Sequence, residues 1–152
     1  LPIYKYFTYT AHYRKPLTWS KDAIETAVNS YGRLKNILLE LKGKGKVNPI
    51  YIRKFEERIN DDLDMPGALA VLWEMLRDGS ATGKKKTVER MDKIFGLKLF
   101  PKIPKEIKDL AEKRLKARLE EDWKQSDILR EELLRKGWGI KDFGKGYGLE
   151  KK

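Results

Sequence analysis

Four residues near the carboxyl end, Arg118, Trp123, Asp127 and Asp142, have types and spacing that could do chemistry together. Trp123 and Asp127 are four apart, which puts both on one face of a helix. An aromatic ring is a stacking platform for an unstacked base. An arginine matches the O6 and N7 acceptors of guanine, and a carboxylate matches the exocyclic amino groups of cytosine and adenine. One stacker, one donor and two acceptors suffice to read a short single-stranded loop holding G, C and A. A plainer account stands beside it. Trp123 follows the acids Glu120, Glu121 and Asp122 and precedes Lys124. It can equally anchor a helix start by packing on the segment that comes after that helix. Asp127 can form a solvated ion pair with Arg130 or Arg114. Spacing alone does not choose, because any charged helix supplies such sets.

Other stretches offer less. "KGKGKV" and "ATGKKKT" combine lysine and glycine, but a phosphate-binding loop needs a longer Gly-x4-Gly-Lys-[Ser/Thr] run between a strand and a helix. Both read as loops. His12 is the only histidine and there is no cysteine, so the usual transition-metal ligand sets are missing. No nucleophile-elbow signature accompanies His12, which reads as a structural or interfacial imidazole. "NDDLD", residues 60–64, gathers three carboxylates that could hold a divalent ion. It lacks the EF-hand spacing and its terminal glutamate. Helix capping by Asp64 accounts for that carboxylate without a metal.

The elements that must position these residues follow from periodicity. Ile3, Phe7 and Thr10/Ala11 predict a helix over 2–14, with a strand as the alternative, stopped by Pro16. Ser20 caps a long helix carrying Ile24, Ala27/Val28, Tyr31, Leu34, Leu38 and Leu41, which ends in "KGKGK". A third helix follows Pro49 with Ile52, Phe55 and Ile59. A fourth is capped by Asp64, takes Pro66 into its first turn and buries Ala68, Leu69, Leu72, Trp73 and Leu76. A fifth, over 84–95, packs Val88, Met91, Ile94 and Phe95 and is closed by Gly96. Residues 1–100 are therefore expected to be an antiparallel helix bundle. "LFPKIPKE" reads as a linker. Residues 101–152 then form a second unit. It holds a helix at 105–120 whose periodic positions are Ile107, Leu110/Ala111, Leu115 and Arg118/Leu119, and a helix at 123–136 capped by Asp122, with Leu129, Leu133 and Leu134 inside. Gly137 ends that helix, and a two-stranded hairpin turns around Gly-Lys-Gly. The fold class is mainly α.

The chain has 152 residues, with 34 Lys+Arg against 23 Asp+Glu and a net charge of +11. That balance favours a polyanion, nucleic acid or anionic membrane, or serves solubility alone. The lack of cysteine excludes disulfides and thiolate chemistry. No apolar run approaches the roughly 18 residues that a membrane span needs. No signal peptide is visible, so the cytoplasm is the expected compartment. The first residue is Leu1, which suggests a processed chain or a piece of a longer one.

"RLKARLEEDWKQSDILREELLRKGWGIKD" resembles the carboxyl-terminal signature of cysteinyl-tRNA synthetases. There an Arg-x-x-Ala-Arg helix is followed by Asp-Trp, an Ala-Asp-x-x-Arg-x-x-Leu helix and Gly-Ile-x-Leu-x-Asp. Arg114, Ala117, Arg118, Asp122, Trp123, Asp127, Arg130, Leu133, Gly137 and Asp142 fall into register without a gap, and Gly146 matches the following turn glycine. "TAHYRKPLTWS" is similar to the family's Ser-Ala-His-Tyr-Arg-x-Pro-Leu-Asn-Phe-Ser segment. "NDDLDMPGALAVLWEM" resembles its Asp-Asp-Phe-Asn-Thr-Pro-x-Ala-Leu motif, and "MDKIFGLKL" its Leu-Gly-Leu close of the bundle. The matches run in family order over nearly the whole chain.

The resemblance implies a class I aminoacyl-tRNA synthetase that joins cysteine to tRNA-Cys with ATP, and of it only the anticodon-binding region. Neither a His-Ile-Gly-His-type nor a Lys-Met-Ser-Lys-Ser-type motif is present, nor are the Cys/His ligands of the family's zinc. The chain alone is thus expected to catalyse nothing and to hold no cofactor, ATP and zinc belonging to a catalytic domain. The partners implied are tRNA-Cys and that catalytic domain. Carried over by register, Arg118 would bond the G of a GCA anticodon, Trp123 would stack on it, and Asp127 and Asp142 would accept from C and A. Leu149 stands where the family often has Trp, which predicts weaker hairpin packing. Ser126 stands for Ala, and Leu63–Asp64 for Phe-Asn. Lysines 84–86, 102, 105, 113, 116, 136 and 141 are expected to add phosphate attraction. The competing expectation is a stand-alone helical RNA-binding or protein-interaction domain without synthetase activity.

Overall fold

Local signals decide where the helices begin. A computed structural model describes residues 1–152 except Lys42, Lys44 and Lys145. Among the described residues there are seven helices and one two-stranded antiparallel hairpin, so the protein is mainly α. They fall into two compact units, Leu1–Leu99 and Phe100–Lys152.

The first unit holds α1 (Pro2–Thr8), α2 (Lys21–Glu40), α3 (Pro49–Asn60), α4 (Met65–Arg77) and α5 (Lys84–Phe95). The free N–H groups at three helix starts are met by side chains. Ser20 Oγ accepts from Ala23 N, Asn48 Oδ1 from Ile50 N and Tyr51 N, and Asp64 Oδ1 from Gly67 N. Pro49 and Pro66 sit in first turns, where a missing N–H leaves nothing unsatisfied. α1 and α2 pack together, as do α3, α4 and α5. Phe55, Leu72, Met75, Met91 and Phe95 are fully buried, and the Phe55 and Phe95 rings meet edge-on at 5.1 Å. Burying one such side chain stabilises the fold by roughly 1.5–3 kcal/mol. Tyrosine hydroxyls tie the layers: Tyr31 donates to Leu97 O at 2.8 Å and Tyr9 to Phe95 O at 2.9 Å.

Several expectations need correction. The first helix ends at Thr8, not 14. The Thr8 and Thr10 hydroxyls donate to Lys5 O and Phe7 O, satisfying the last carbonyls, and the next residues turn toward Asp62. Within α4, Val71 and Met75 are buried while Trp73 and Leu76 are only half-buried, so the stripe sits slightly to one side of the expected one. Ile94, Leu119 and Leu134 are exposed rather than inside. Each lies off the stripe that its own helix buries: Thr87/Val88/Met91/Phe95, Ile107/Ala111/Arg114 and Ser126/Leu129/Leu133. The expected helix-breaking run "KGKGK" includes Lys42 and Lys44, outside the described residues. α2 ends just before it at Glu40.

The second unit holds α6 (Lys105–Leu119), α7 (Trp123–Arg135), β1 (Trp138–Phe143) and β2 (Gly146–Lys151). α6 and α7 pack against each other, and the hairpin lies on both. Its core joins Ile107 and Ala111 of α6, Leu133 of α7, Trp138 of β1 and Leu149 of β2. Leu149, where a larger tryptophan was the family's usual residue, is buried in this core, only 5% exposed. Trp138 supplies aromatic bulk from the opposite strand. The register pairs Asp142 with Tyr147 and Phe143 with Gly146. Gly144 takes φ +52° in the turn, a left-handed conformation suited to glycine; Lys145 lies outside the described residues.

Candidate nucleic-acid interface

The turn between α6 and α7 sets the geometry. Asp122 N donates to Ala117 O and Glu121 N to Arg118 O, the paired bonds of a Schellman close. Glu121 occupies the left-handed position, φ +59°, where glycine is usual. Asp122 then caps α7 by accepting from Gln125 N at 3.0 Å. Three residues thus reverse the chain, and Trp123, the first residue of α7, emerges beside the end of α6.

Trp123 is 56% exposed. More than half of the side chain is therefore open to solvent, and Trp123 is not among the buried residues of the second core. Its ring has one charged neighbour: the Arg118 guanidinium carbon lies 5.4 Å from the ring centroid, in cation–π range. Arg118 Nη1 also stands 3.5 Å from Asp142 Oδ2, and its side chain is 35% exposed.

Asp142 comes from β1 and is gripped by a second arginine. Arg114 Nη1 donates to Oδ1 at 2.6 Å and Nη2 to Oδ2 at 3.0 Å, a two-pronged fork. Arg114 and Arg118 are four apart and share a face of α6. The Arg114 side chain is 3% exposed, against 29% for Asp142. The Arg114 hydrogen bonds hold the Asp142 carboxyl below the usual carboxylate range, although burial pushes the other way; the charges of Arg114, Arg118 and Arg130 add to the depression. Asp142 is therefore ionised at neutral pH. The fork uses one lone pair on each oxygen and leaves further acceptor capacity.

Asp127 lies one turn beyond Trp123 on α7 and is exposed. Among the described residues it has no hydrogen bond or ion pair, and Arg114, one of its expected partners, is taken by Asp142. The structure thus links Trp123, Arg118 and Asp142 through contacts and leaves Asp127 on the Trp123 face without one. The chain of contacts offers an open aromatic face, one partly exposed guanidinium and one carboxylate, and Asp127 adds a second carboxylate beside it. Sequence reasoning gave Arg114 no part in the site. Its signal was an arginine on the apolar stripe of Ile107 and Ala111, since a charge on a buried face needs a partner from another element.

The other candidates resolve differently. Asp62 accepts from Tyr13 Oη at 2.7 Å and Arg14 Nη2 at 3.0 Å, with His12 Nε2 at 3.8 Å. Those bonds fasten the segment after α1 to the α3–α4 turn. Asp64 is the α4 cap, and the "NDDLD" carboxylates thus point to different tasks. No group of three or more metal-ligating side chains forms among the described residues. Of the lysines expected to attract phosphate, Lys84 donates inward to Leu76 O, while Lys116, Lys136 and Lys141 pair with Glu120, Glu106 and Glu150. No helix of the described residues is long and apolar enough to cross a membrane.

No protein-family model matches the chain. Individual relatives do. It is 36% identical to cysteine–tRNA ligase 1 of Burkholderia lata, over 96% of this chain and 33% of the relative. It is 32% identical to the cysteine–tRNA ligase of Archaeoglobus fulgidus, over 95% of this chain and 37% of the relative. It is 30% identical to that of Coxiella burnetii, over 95% and 36%. The chain spans about a third of the length of these relatives.

Proposed function

We propose that this chain, a homologue over nearly its whole length of about one third of a cysteine–tRNA ligase, is the part that reads the anticodon of tRNA-Cys. The carrying observation is Trp123, more than half exposed at the start of α7 with the Arg118 guanidinium over its ring. A large aromatic left open beside cations is poor economy for a fold and good design for a base. In this reading Trp123 stacks on the G of a GCA anticodon and Arg118 bonds its O6/N7 edge. Asp127 and Asp142 accept from the amino groups of C and A. Leaving the ring and Asp142 Oδ2, Arg118 would open the stacking face and release an acceptor in one motion.

The ligation of cysteine that the relatives' name states is, in this reading, the work of a catalytic domain partnering this module. The zinc of the family finds no fitting ligand set here, since the chain lacks cysteine and its single histidine pairs with Asp62. No step is assigned to zinc or ATP within these residues.

The test is binding of RNA stem-loops whose loops carry GCA or single-base variants of it. The chain should prefer GCA, and affinity should fall steeply with salt, as phosphate neutralisation requires. Equal affinity for all loops would refute the assignment. Asp127→Asn should flatten the preference at the middle base alone. If the ranking of loops is unchanged, Asp127 does not read it.

A further inference from the structure

We infer that Arg114 is the positioning residue of the anticodon site: a buried fork that fixes the plane of the Asp142 carboxylate so that its outer lone pairs face the RNA. The inference rests on the anticodon reading above and adds to it a residue that RNA never touches.

Four observations carry it. Arg114 is 3% exposed, so it cannot itself meet a base or phosphate. Its two Nη atoms grip both oxygens of one carboxylate, at 2.6 and 3.0 Å. A two-point grip sets the rotation of the carboxylate as well as its position. Arg114 Nε is buried and has no hydrogen-bond partner in the described structure. An orphaned donor is costly, so the guanidinium is placed to serve the two bonds its outer end makes rather than to satisfy all five donors. Finally, α6 carries a second arginine four residues on that approaches the same carboxylate differently. Arg118 is more exposed and stands 3.5 Å from Oδ2, a looser approach than the fork of Arg114.

The two arginines thus divide the work. Arg114 holds Asp142, and Arg118 is left able to exchange its loose contact for a base edge. Without Arg114, Asp142 would have to be immobilised when RNA arrives, and selectivity at its base would fall. Lysine in its place would keep the charge but not the planar fork.

The experiment uses the full chain with Arg114→Lys, Arg114→Met, Asp142→Asn and the double variant Arg114→Lys/Asp142→Asn. The probes are stem-loops with GCA or with the third base changed. Wild type should discriminate at that base. Arg114→Lys should lose about tenfold of that discrimination, the scale of one well-made base contact, while preference at the first two bases is kept. In the Asp142→Asn background the Arg114 change should cost no further discrimination. A purely structural role would instead weaken all loops alike in both backgrounds, and that result overturns the inference. Equal discrimination by wild type and a folded Arg114→Lys overturns it too. In the free protein, 13C titration of Asp142 should move up toward the ordinary carboxylate range in Arg114→Met. An unmoved titration means that Arg114 does not hold the group. Lack of third-base preference in wild type would sink the anticodon reading itself, and would be seen without any variant.

Discussion

Replacing Trp123 with alanine separates a binding role from a folding role. Stacking of one base on an aromatic side chain contributes about 1–3 kcal/mol by alanine substitution. Here Arg118 already covers part of the ring at 5.4 Å, a contact of about 0.5–1 kcal/mol at an exposed site. A base entering on that face displaces Arg118, so the net loss should be roughly 0.5–2 kcal/mol, about a 2- to 30-fold weaker Kd. The fold should survive. Over half of Trp123 is exposed, so its truncation removes much less area than that of a core aromatic and should cost about 1 kcal/mol. For a unit this small that is about 4–8 °C in Tm. Fluorescence anisotropy with a GCA stem-loop measures the first quantity, and thermal unfolding followed by circular dichroism the second. Unchanged affinity with the fold intact would refute stacking. A drop of ten degrees or more would refute the exposed position and restore Trp123 to the role of helix anchor.

Other outcomes follow from the same structure. Arg118→Ala should weaken a loop with G at the first anticodon base by about 1–3 kcal/mol yet leave a loop with another base there no worse, because the ring is uncovered; equal losses on both loops would refute guanine reading. Glu121→Gly should stabilise the α6–α7 turn by about 1 kcal/mol, since φ +59° suits glycine, a gain read from urea unfolding with stem-loop affinity unchanged. Asp78 is held down to about 2 by hydrogen bonds from Ser80, then from Tyr51. A folded pKa below the unfolded value of about 4 stabilises above that value and is lost as pH falls toward 2. Urea midpoints should therefore decline from pH 4 to 2, and less steeply in Tyr51→Phe. An equal decline in both proteins would show that Tyr51 is not part of the effect. Tyr31→Phe leaves Leu97 O without its donor and should cost about 1–3 kcal/mol in the same assay.

Helix starts were legible because each cap is a local event: Ser20, Asp64 and Asp122 are followed within three residues by the N–H they accept from. The end of α1 was not, since it depends on Asp62 drawing Tyr13 and Arg14 across some fifty residues of sequence. Exposed Ile94, Leu119 and Leu134 show a related limit. A stripe of leucines and isoleucines fixes a helix's period but not which edge of the stripe its neighbour covers.

The site divides along the same line. Trp123 and Asp127 sit on one helix, and their shared face is a matter of counting. Asp142 joins them only because the hairpin folds back onto α6, and its partner there is a buried arginine. In the sequence Arg114 is a signature position and a possible partner of Asp127, with nothing to pair it with Asp142. In the fold its side chain is 3% exposed, and that burial is tolerated because a carboxylate from another element meets it. The acceptor's aim toward a base thus depends on packing between α6 and β1, and a change that loosens the unit-2 core should blur base selectivity before it lowers affinity. Leu149→Ala is such a change. Leu149 lies in that core with Trp138, and the register sets it opposite Ile140, two pairs along the strands from Asp142–Tyr147. Truncating it should cost about 2–5 kcal/mol of unit stability. At temperatures where the variant stays folded, discrimination at the third base should fall while stacking on Trp123 persists. If selectivity and affinity instead decline together, Asp142 is aimed by its local turn alone and not by the core beneath it.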